Sequence, residues 1–451
     1  MDVDQPNSAR NISTHRGGFG EFSGDGASSG LIDRSFRERI ILVALSKDRD
    51  NKTAEASLDE LSLLVDTAGA DTVARAYQYR NKPDPATFIG IGKVHEIHDI
   101  AEEIDCDTVV FDDELTPAQQ HNLEKILGRS AIDRTAVILD IFAQNARTPE
   151  GKAQVELAQL RYLLPRLRGK GKQLSQQAGG IGTRGPGETK LETDRRRLQK
   201  RVNKLEQRLE DIARHRRVQS KSRRRTRNQS TALVGYTNAG KSSLLNRLTS
   251  ASVVVEDRLF ATLDPTTRRL PLPGGEVVLM TDTVGFISKL PHHLVQAFKT
   301  TLDVVRDADL LLHVVDAAGP NPRKAMKAVR EVLYEIGAAD IPELVVFNKS
   351  DLRTVNETSV QYSGHTEKTV SVSALTGEGV TALIEAVANE LRSASQLVEL
   401  EIPWARGDVL ASVHREGRIL SETATEQGMH LLARLDEASI EVLRQYKIES
   451  R

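Results

Sequence analysis

A phosphate-binding loop is the strongest chemical signal in this sequence. The apolar run at 231–234 leads into the string GYTNAGKS at 235–242, and a helix with an apolar face is predicted at 244–248. In a strand–loop–helix unit of this kind, backbone N–H groups and the helix N-terminus point at a β-phosphate. We expect Lys241 to bridge the β- and γ-phosphates and the Ser242 hydroxyl to ligate Mg²⁺. The loop alone fits ATPases and GTPases equally.

A second motif predicts selection of guanine. The string NKSD at 348–351 follows the apolar run 344–347. A carboxylate at Asp351 can accept hydrogen bonds from both N1–H and the 2-amino group of guanine, whereas adenine offers neither donor there. Lys349 is expected to lie along the base, and Asn348 is expected to tie this loop to the phosphate loop. A further loop, residues 373–375, matches a backbone segment that contacts guanine O6.

Two more stretches have the spacing of nucleotide-sensing switches. The strand-like run 277–280 ends in DTVG at 282–285, where Asp282 is expected to reach Mg²⁺ through water. The Gly285 amide is expected to meet the γ-phosphate, a contact that exists only in the triphosphate state. In the stretch 260–268, Thr262 is the favoured second Mg²⁺ ligand. Thr266 and Thr267 compete for that role, and the sequence does not separate them.

The predicted GTP-binding residues come from these four motifs and the O6 loop. They are Gly235, Tyr236, Thr237, Asn238, Ala239, Gly240, Lys241, Ser242, Phe260, Ala261, Thr262, Leu263, Asp264, Asp282, Thr283, Val284, Gly285, Asn348, Lys349, Ser350, Asp351, Ser373, Ala374 and Leu375.

The segment before the nucleotide motifs divides into a leader and an α/β domain. Residues 1–35 are rich in Gly, Ser, Asn and Asp, which predicts a disordered leader. Strand-like runs at 40–45, 72–79, 108–111 and 136–142 then alternate with helical patterns. This alternation predicts a parallel α/β domain over 36–148. Its single cysteine, Cys106, is expected to be a buried small hydrophobe.

Residues 149–228 predict a basic helical hairpin with a glycine-rich tip. Apolar residues at 191, 198, 202, 205, 209 and 212 form a coiled-coil seam that needs a partner helix. From Arg195 to Arg227 there are fifteen Lys or Arg against three acids, which favours nucleic-acid phosphate as the partner over a plain solvated helix. No aromatic residue lies there, so structured RNA fits better than single strands. The candidate RNA-binding residues are Lys170, Lys172, Arg184, Arg195, Arg196, Arg197, Arg223, Arg224 and Arg225.

The remaining segments predict a GTPase-type α/β domain over 229–395 and a small α+β domain over 396–451. In the latter, Trp404 is expected to be a packing anchor. The chain has 451 residues, a net charge of −1 and no long apolar run. We therefore expect a cytoplasmic monomer without membrane insertion, with peripheral membrane association left open.

Several of these strings resemble the HflX family of translation-factor-related GTPases. They are GYTNAGKS, FATLDPTTR, DTVGFI and the glycine-rich GGIGTRGPGETKLETDRR at 179–196. The resemblance runs from about residue 40 to the C-terminus. It implies a family-specific N-terminal domain, a helical hairpin and a Ras-like P-loop domain. It also implies binding to the large ribosomal subunit and its RNA, and the splitting of stalled or idle ribosomes.

Hydrolysis is expected to be slow without help. Phe286 follows the DTVG motif, where Ras-like enzymes place a glutamine that orients the attacking water. The ribosome could supply the missing function, as could K⁺ held at Asn238, which some related GTPases use. We therefore expect catalytic roles for Lys241, Thr262, Gly285 and Asn238. The alternatives are an ATP-driven RNA remodeller that uses the N-terminal domain, or a nucleotide-gated RNA-binding scaffold.

Overall fold

The structure is a computed structural model. It describes residues 37–47, 52–167, 186–226, 229–249, 258–289, 291, 294, 297–352, 368–393, 396–416, 418–435 and 437–448. The predicted leader lies outside these residues, as does the glycine-rich loop up to residue 185. The chain forms two compact units, Met1–Ala146 with Lys152–Leu205, and Arg147–Gly151 with Glu206–Arg451.

The first unit contains a four-stranded parallel sheet in the order β2-β1-β3-β4. Its strands are β1 (Arg39–Ser46), β2 (Asp71–Tyr79), β3 (Thr108–Phe111) and β4 (Ser130–Asp133). The helices between and after them are α1 (Lys52–Ala68), α2 (Ile91–Glu103), α3 (Pro117–Leu127) and α4 (Arg134–Asn145). Local sequence fixes their ends: Thr116 and Gln119 form a capping box on α3, and Gly128 ends it at φ 65°. The predicted α/β fold is confirmed.

The prediction of a strand at 136–142 is wrong. These residues lie in α4, and the strand is the preceding β4. The Asp133 carboxylate accepts from the Ala136 amide at 3.0 Å and so caps the helix. Residues 134–142 are all buried, and the stretch 136–142 is apolar apart from Asp140. In such a stretch a buried helix and a buried strand look alike in the sequence.

Two long helices follow this sheet in the chain, α5 (Pro149–Arg166) and α6 (Pro186–Thr226). On the predicted seam of α6, Val202, Leu205 and Leu209 are buried. Leu198 and Ile212 are half-buried, and the placement of the Leu191 side chain is not described. Within the first unit, Arg201 donates to both oxygens of Glu156 at 2.6 and 2.8 Å and so links α6 to α5.

The second unit is centred on a six-stranded sheet in the order β10-β9-β8-β5-β7-β6, in which only the β6–β7 pair is antiparallel. Its strands are β5 (Ser230–Gly235), β6 (Thr266–Pro271), β7 (Val277–Asp282), β8 (Leu310–Asp316), β9 (Glu343–Asn348) and β10 (Thr369–Ser371). Its helices are α7 (Lys241–Thr249), α8 (Lys299–Arg306), α9 (Pro322–Glu335) and α10 (Val380–Ser393). Every predicted nucleotide motif follows the carboxyl end of a strand here or lies in a loop beside one, which is where ligands bind in such sheets.

The C-terminal part of this unit is a three-stranded antiparallel sheet in the order β11-β13-β12. Its elements are β11 (Gln396–Pro403), α11 (Gly407–Glu416), β12 (Arg418–Ala424), β13 (Gly428–Leu435) and α12 (Glu437–Leu443). The α+β prediction is confirmed, with Val398, Leu400 and Leu431 in its core. Trp404 is 56% exposed, so its prediction as a packing anchor is wrong. It directly follows the end of β11, where the chain leaves the core.

Two further predictions concern the single cysteine and membrane insertion. Cys106 is fully buried as expected, and burial raises the pKa of its thiol to about 11. Across the described helices, none combines the length and the apolar character that a bilayer crossing requires.

Candidate nucleotide-binding site

A cleft of about 790 Å³ opens beside the phosphate loop. The loop runs from the end of β5 at Gly235 to the start of α7 at Lys241. Asn238 and Gly240 have φ values of 59° and 87°, the left-handed conformation that turns the chain back toward the helix. A Cβ atom at Gly240 would collide with the Asn348 amide nitrogen, so glycine is required where these two loops meet.

The Lys241 side chain is hydrogen-bonded to the backbone of the phosphate loop. Its Nζ donates to the carbonyl oxygens of Gly235 and Tyr236 at 3.2 and 2.9 Å. Burial lowers the pKa of Lys241 to about 8, and the nearby Asp282 charge opposes that shift. An anionic ligand in the cleft would favour the charged ammonium further. The side chain is therefore positioned and electrostatically prepared for phosphate.

Three oxygen-bearing side chains meet at the first turn of α7. The Ser242 hydroxyl lies 2.8 Å from the Thr262 hydroxyl and donates to Asp282 Oδ2 at 2.5 Å. Asp282 Oδ1 is buried and accepts no hydrogen bond from the described part of the chain. Burial raises the pKa of Asp282, while Lys241 and the hydroxyls oppose that shift. Two hydroxyls and one under-satisfied carboxylate suit a hard, oxygen-seeking cation such as Mg²⁺.

This geometry distinguishes Thr262 from its two competitors. Thr266 and Thr267 lie in β6, and the Thr267 hydroxyl is bonded to that of Thr281 at 2.9 Å. Thr262 is the threonine of this stretch that reaches Ser242. Spacing could not separate them because it does not show where the chain re-enters the sheet.

The loops that are predicted to bind the base are cross-linked through Asn348 and Lys349. Asn348 donates to the Ala239 carbonyl at 2.9 Å and accepts from the Ala374 amide at 3.0 Å, so it joins three loops. Lys349 has φ 62°, and its ammonium lies 2.7 Å from Asp316. Asp351 is exposed at the rim of the cleft. The carboxylate is thus available to a ligand while its neighbours are fixed.

The segment after Asp282 is tied to the phosphate loop. The Phe286 amide donates to the Gly235 carbonyl at 3.0 Å, and the Thr237 amide donates to the Phe286 carbonyl at 2.7 Å. A Cβ atom at Gly285 would lie 2.8 Å from Thr237 Cα, closer than side chains are tolerated. Any movement of this segment must therefore break contacts with the loop that is predicted to bind the phosphates.

Comparison with known proteins agrees with this geometry. Three family models match, described as GTP-binding GTPase N-terminal over residues 55–143, GTP-binding GTPase Middle Region over 145–223, and 50S ribosome-binding GTPase over 230–349. The GTPase HflX of Lacrimispora saccharolytica is 48% identical over 400 residues, which cover 89% of this chain and 94% of that protein. This chain belongs to the HflX family of GTPases. Like its relatives, it hydrolyses GTP.

A second family member and a solved structure are also similar to this chain. The GTPase HflX of Escherichia coli is 43% identical over 87% of this chain and 92% of that protein. A crystal structure of a GTP-binding protein from the archaeon Sulfolobus solfataricus, in complex with GDP, covers 79% of this chain and 99% of that one. Its sequence identity is 23% and its TM-score 0.40.

Most of the residues predicted to bind GTP in this HflX-family chain line the cleft. They are Thr237, Asn238, Gly240, Lys241, Ser242, Phe260, Ala261, Thr262, Thr283, Gly285, Asn348, Lys349, Asp351, Ala374 and Leu375. The others lie behind this lining or away from it: Gly235, Tyr236, Ala239, Leu263, Asp264, Asp282, Val284, Ser350 and Ser373. Sequence reasoning missed Ser243, Asn246, Arg247, Arg258 and Leu352, which also line it. The available signals were positions just after the phosphate loop, just after the NKSD motif and, for Arg258, just before the stretch 260–268.

Asp264 does not line the cleft, and its carboxylate is bonded to another part of the chain. Its Oδ2 accepts from the amides of Arg147 and Thr148 at 2.9 and 2.8 Å, and its Oδ1 accepts from the Thr148 hydroxyl at 2.5 Å. These residues directly precede and open α5. The sequence placed Asp264 in a nucleotide motif and gave no sign of this distant partner, 117 positions away.

The candidate RNA-binding residues are only partly described. Arg195, Arg196 and Arg197 are exposed on α6. Two of them make exposed ion pairs along the helix, Arg196 with Glu192 at 3.1 Å and Arg197 with Asp194 at 3.7 Å. Lys170, Lys172 and Arg184 lie outside the described residues, as do the side chains of Arg223, Arg224 and Arg225.

Replacing Phe286 with glutamine is expected not to accelerate GTP hydrolysis. The Phe286 side chain is fully buried, so a glutamine there would face the core and could not orient a water beside the γ-phosphate. An unpaired buried amide and the lost apolar contacts should lower the free energy of unfolding by about 3 kcal/mol. Urea unfolding and steady-state GTP turnover measure the two effects. Phe286→Leu is the control, and a faster, equally stable Phe286→Gln would contradict the expectation.

Proposed function

We propose that this chain binds the large ribosomal subunit and splits stalled or idle ribosomes, with GTP hydrolysis controlling its release. The observation that carries the proposal is family membership, because the model matching residues 230–349 is described as a 50S ribosome-binding GTPase. The cytoplasm is the compartment in which such a factor would act.

The exposed arginines of α6 support contact with ribosomal RNA. Their ion pairs with Glu192 and Asp194 are solvent-exposed, and such pairs contribute only about 0.3–0.5 kcal/mol. RNA phosphate can therefore replace these partners at little cost, and release of counterions from the RNA adds to the binding energy. We assign Arg195, Arg196 and Arg197 to this contact, together with the six predicted residues whose side chains are not described.

The cleft geometry supports specific roles in GTP binding. Lys241 would cancel charge on the β- and γ-phosphates, and Asp351 would accept from N1–H and the 2-amino group of guanine. Ser242 and Thr262, with Asp282 through water, would hold Mg²⁺, which when bound supplies positive charge next to the phosphates. The Gly285 amide would meet the γ-phosphate. The remaining predicted GTP-binding residues shape the loops that position these groups.

Catalysis by the isolated chain should be slow because the Phe286 side chain is buried and apolar and cannot orient the attacking water. We propose that docking on the large subunit supplies most of the missing catalysis by reorganising the switch segments. K⁺ held near Asn238 would modulate it by placing positive charge beside the phosphates. Equal GTP turnover with and without large subunits, in K⁺ and in Na⁺ buffer, would refute both statements.

Sedimentation of 70S ribosomes tests the splitting function. With this protein and a non-hydrolysable GTP analogue, we expect separated subunits with the protein retained on the large one. With GTP, we expect separation followed by release. Reversing charge at Arg195, Arg196 and Arg197 to Glu should abolish separation while leaving GDP affinity unchanged. The control reverses three exposed basic residues on α9: Arg323, Lys324 and Lys327. Intact 70S particles in every condition would rule out the splitting proposal.

A further inference from the structure

Arg247, in the last turn of α7, contacts the loop predicted to face guanine O6. Its Nε donates to the Ala374 carbonyl at 2.9 Å, and its Nη2 donates to the Leu375 carbonyl. Arg247 thus links the helix that follows the phosphate loop to the base loop 127 positions later. A guanidinium is suited to this link because its donors form a rigid fork that can hold two acceptors at once.

These two bonds determine which way the loop amides point. In a planar trans peptide, the carbonyl and the N–H of the same unit point in opposite directions. Because the Ala374 carbonyl is held toward Arg247, the Leu375 N–H must point away from it. In the same way, the Leu375 carbonyl directs the Thr376 N–H away from Arg247, and that amide donates to the Ser373 hydroxyl at 3.0 Å.

The other amides of this loop already have partners. The Ser373 amide donates to the Glu378 carbonyl at 3.0 Å, and the Gly377 amide donates to the Ser373 carbonyl at 2.8 Å. The Ala374 amide donates to the Asn348 side chain. Among described residues 373–378, the Leu375 N–H is the amide left without an acceptor, and Leu375 lines the cleft beside Lys349 and Asp351.

We infer that Arg247 is a positioning residue for guanine recognition: by holding two carbonyls, it aims the Leu375 N–H at guanine O6. The inference rests on the proposed base site at Asp351 and on the predicted O6 loop, and it identifies the side chain that orients that loop. Adenine carries an amino group at position 6. The Leu375 N–H would then face another hydrogen-bond donor, which disfavours adenine.

Two nucleotides that differ only at position 6 test the inference. In 6-thio-GDP, sulfur replaces O6 while N1–H and the 2-amino group remain, and sulfur is a weak acceptor. The native chain should bind GDP about five- to tenfold more tightly than 6-thio-GDP, as expected for one hydrogen bond. In Arg247→Met, which keeps the apolar stem, GDP affinity should fall and this ratio should approach one. Arg247→Lys, with a single flexible ammonium, should give an intermediate ratio.

The control is Arg258→Met, which removes the same charge from the same cleft but no bond to the base loop. It should leave the ratio unchanged. If Arg247→Met weakens both nucleotides equally, Arg247 acts through charge or general stability and the inference is wrong. Asp351→Asn tests the base site separately. If Asp351→Asn changes the base preference but Arg247→Met leaves the ratio of GDP to 6-thio-GDP affinity unchanged, the proposed role of Arg247 is wrong and the base site at Asp351 stands.

Discussion

Replacing Asp351 with asparagine should weaken GTP binding by about 10²-fold and shift the preference of this chain toward xanthosine triphosphate. The carboxylate offers two acceptors that match the N1–H and 2-amino donors of guanine. An asparagine amide offers one acceptor and one donor. Xanthine keeps N1–H but carries a carbonyl at position 2, so it matches the amide and mismatches the carboxylate.

The structure makes this substitution an informative test because, among the described residues, none is hydrogen-bonded or ion-paired to the Asp351 side chain. Asn348 and Lys349 hold the loop through Ala239, Ala374 and Asp316. Asp351 itself is exposed at the cleft rim. Its replacement should therefore change base recognition and not loop conformation.

Competition binding with GTP, XTP and ATP gives the base preference of each variant. Glu378→Gln, which removes an exposed negative charge from the neighbouring base loop, is the matched control and should keep the native preference. If Asp351→Asn bound GTP and XTP with unchanged relative affinity, the base would be recognised elsewhere.

The sequence predicted the parts of the site that depend on local spacing. The phosphate loop, Asp351 and the DTVG motif each sit in a fixed position relative to a strand, so short-range patterns were sufficient to place them. The β5 and β9 strands were found for the same reason, since each is a buried apolar run bounded by turn residues.

The features that the sequence did not predict depend on distant partners. Asp264 bonds to residues 147 and 148, and Arg247 bonds to residues 374 and 375. Neither pairing produces a local pattern that could be recognised in the sequence. The error at 136–142 has a different cause, because complete burial removes the alternation by which a helix and a strand are told apart. The exposure of Trp404 likewise reflects where β11 leaves its core, which composition cannot show.

Replacing Ser242 with alanine is expected to remove most of the effect of Mg²⁺ on nucleotide binding. The Ser242 hydroxyl lies between Thr262 and Asp282, at 2.8 and 2.5 Å, and no other described hydroxyl bridges these two groups. Without it the cation would lose a direct oxygen ligand, and Asp282 would lose its hydrogen-bond donor. We expect GTP turnover to fall by about 10²- to 10³-fold.

Nucleotide affinity measured with Mg²⁺ and with EDTA separates this effect from general damage. In the native chain, Mg²⁺ should tighten binding of GTP. In Ser242→Ala, the two affinities should be nearly equal, while the affinity in EDTA stays close to native. Ser243→Ala is the matched control, because this neighbour also lines the cleft on the same helix but has no bond to Thr262 or Asp282. An equal Mg²⁺ response in both variants would place the cation away from Ser242, and Thr262 and Asp282 would then be hydrogen-bonded for structural reasons alone.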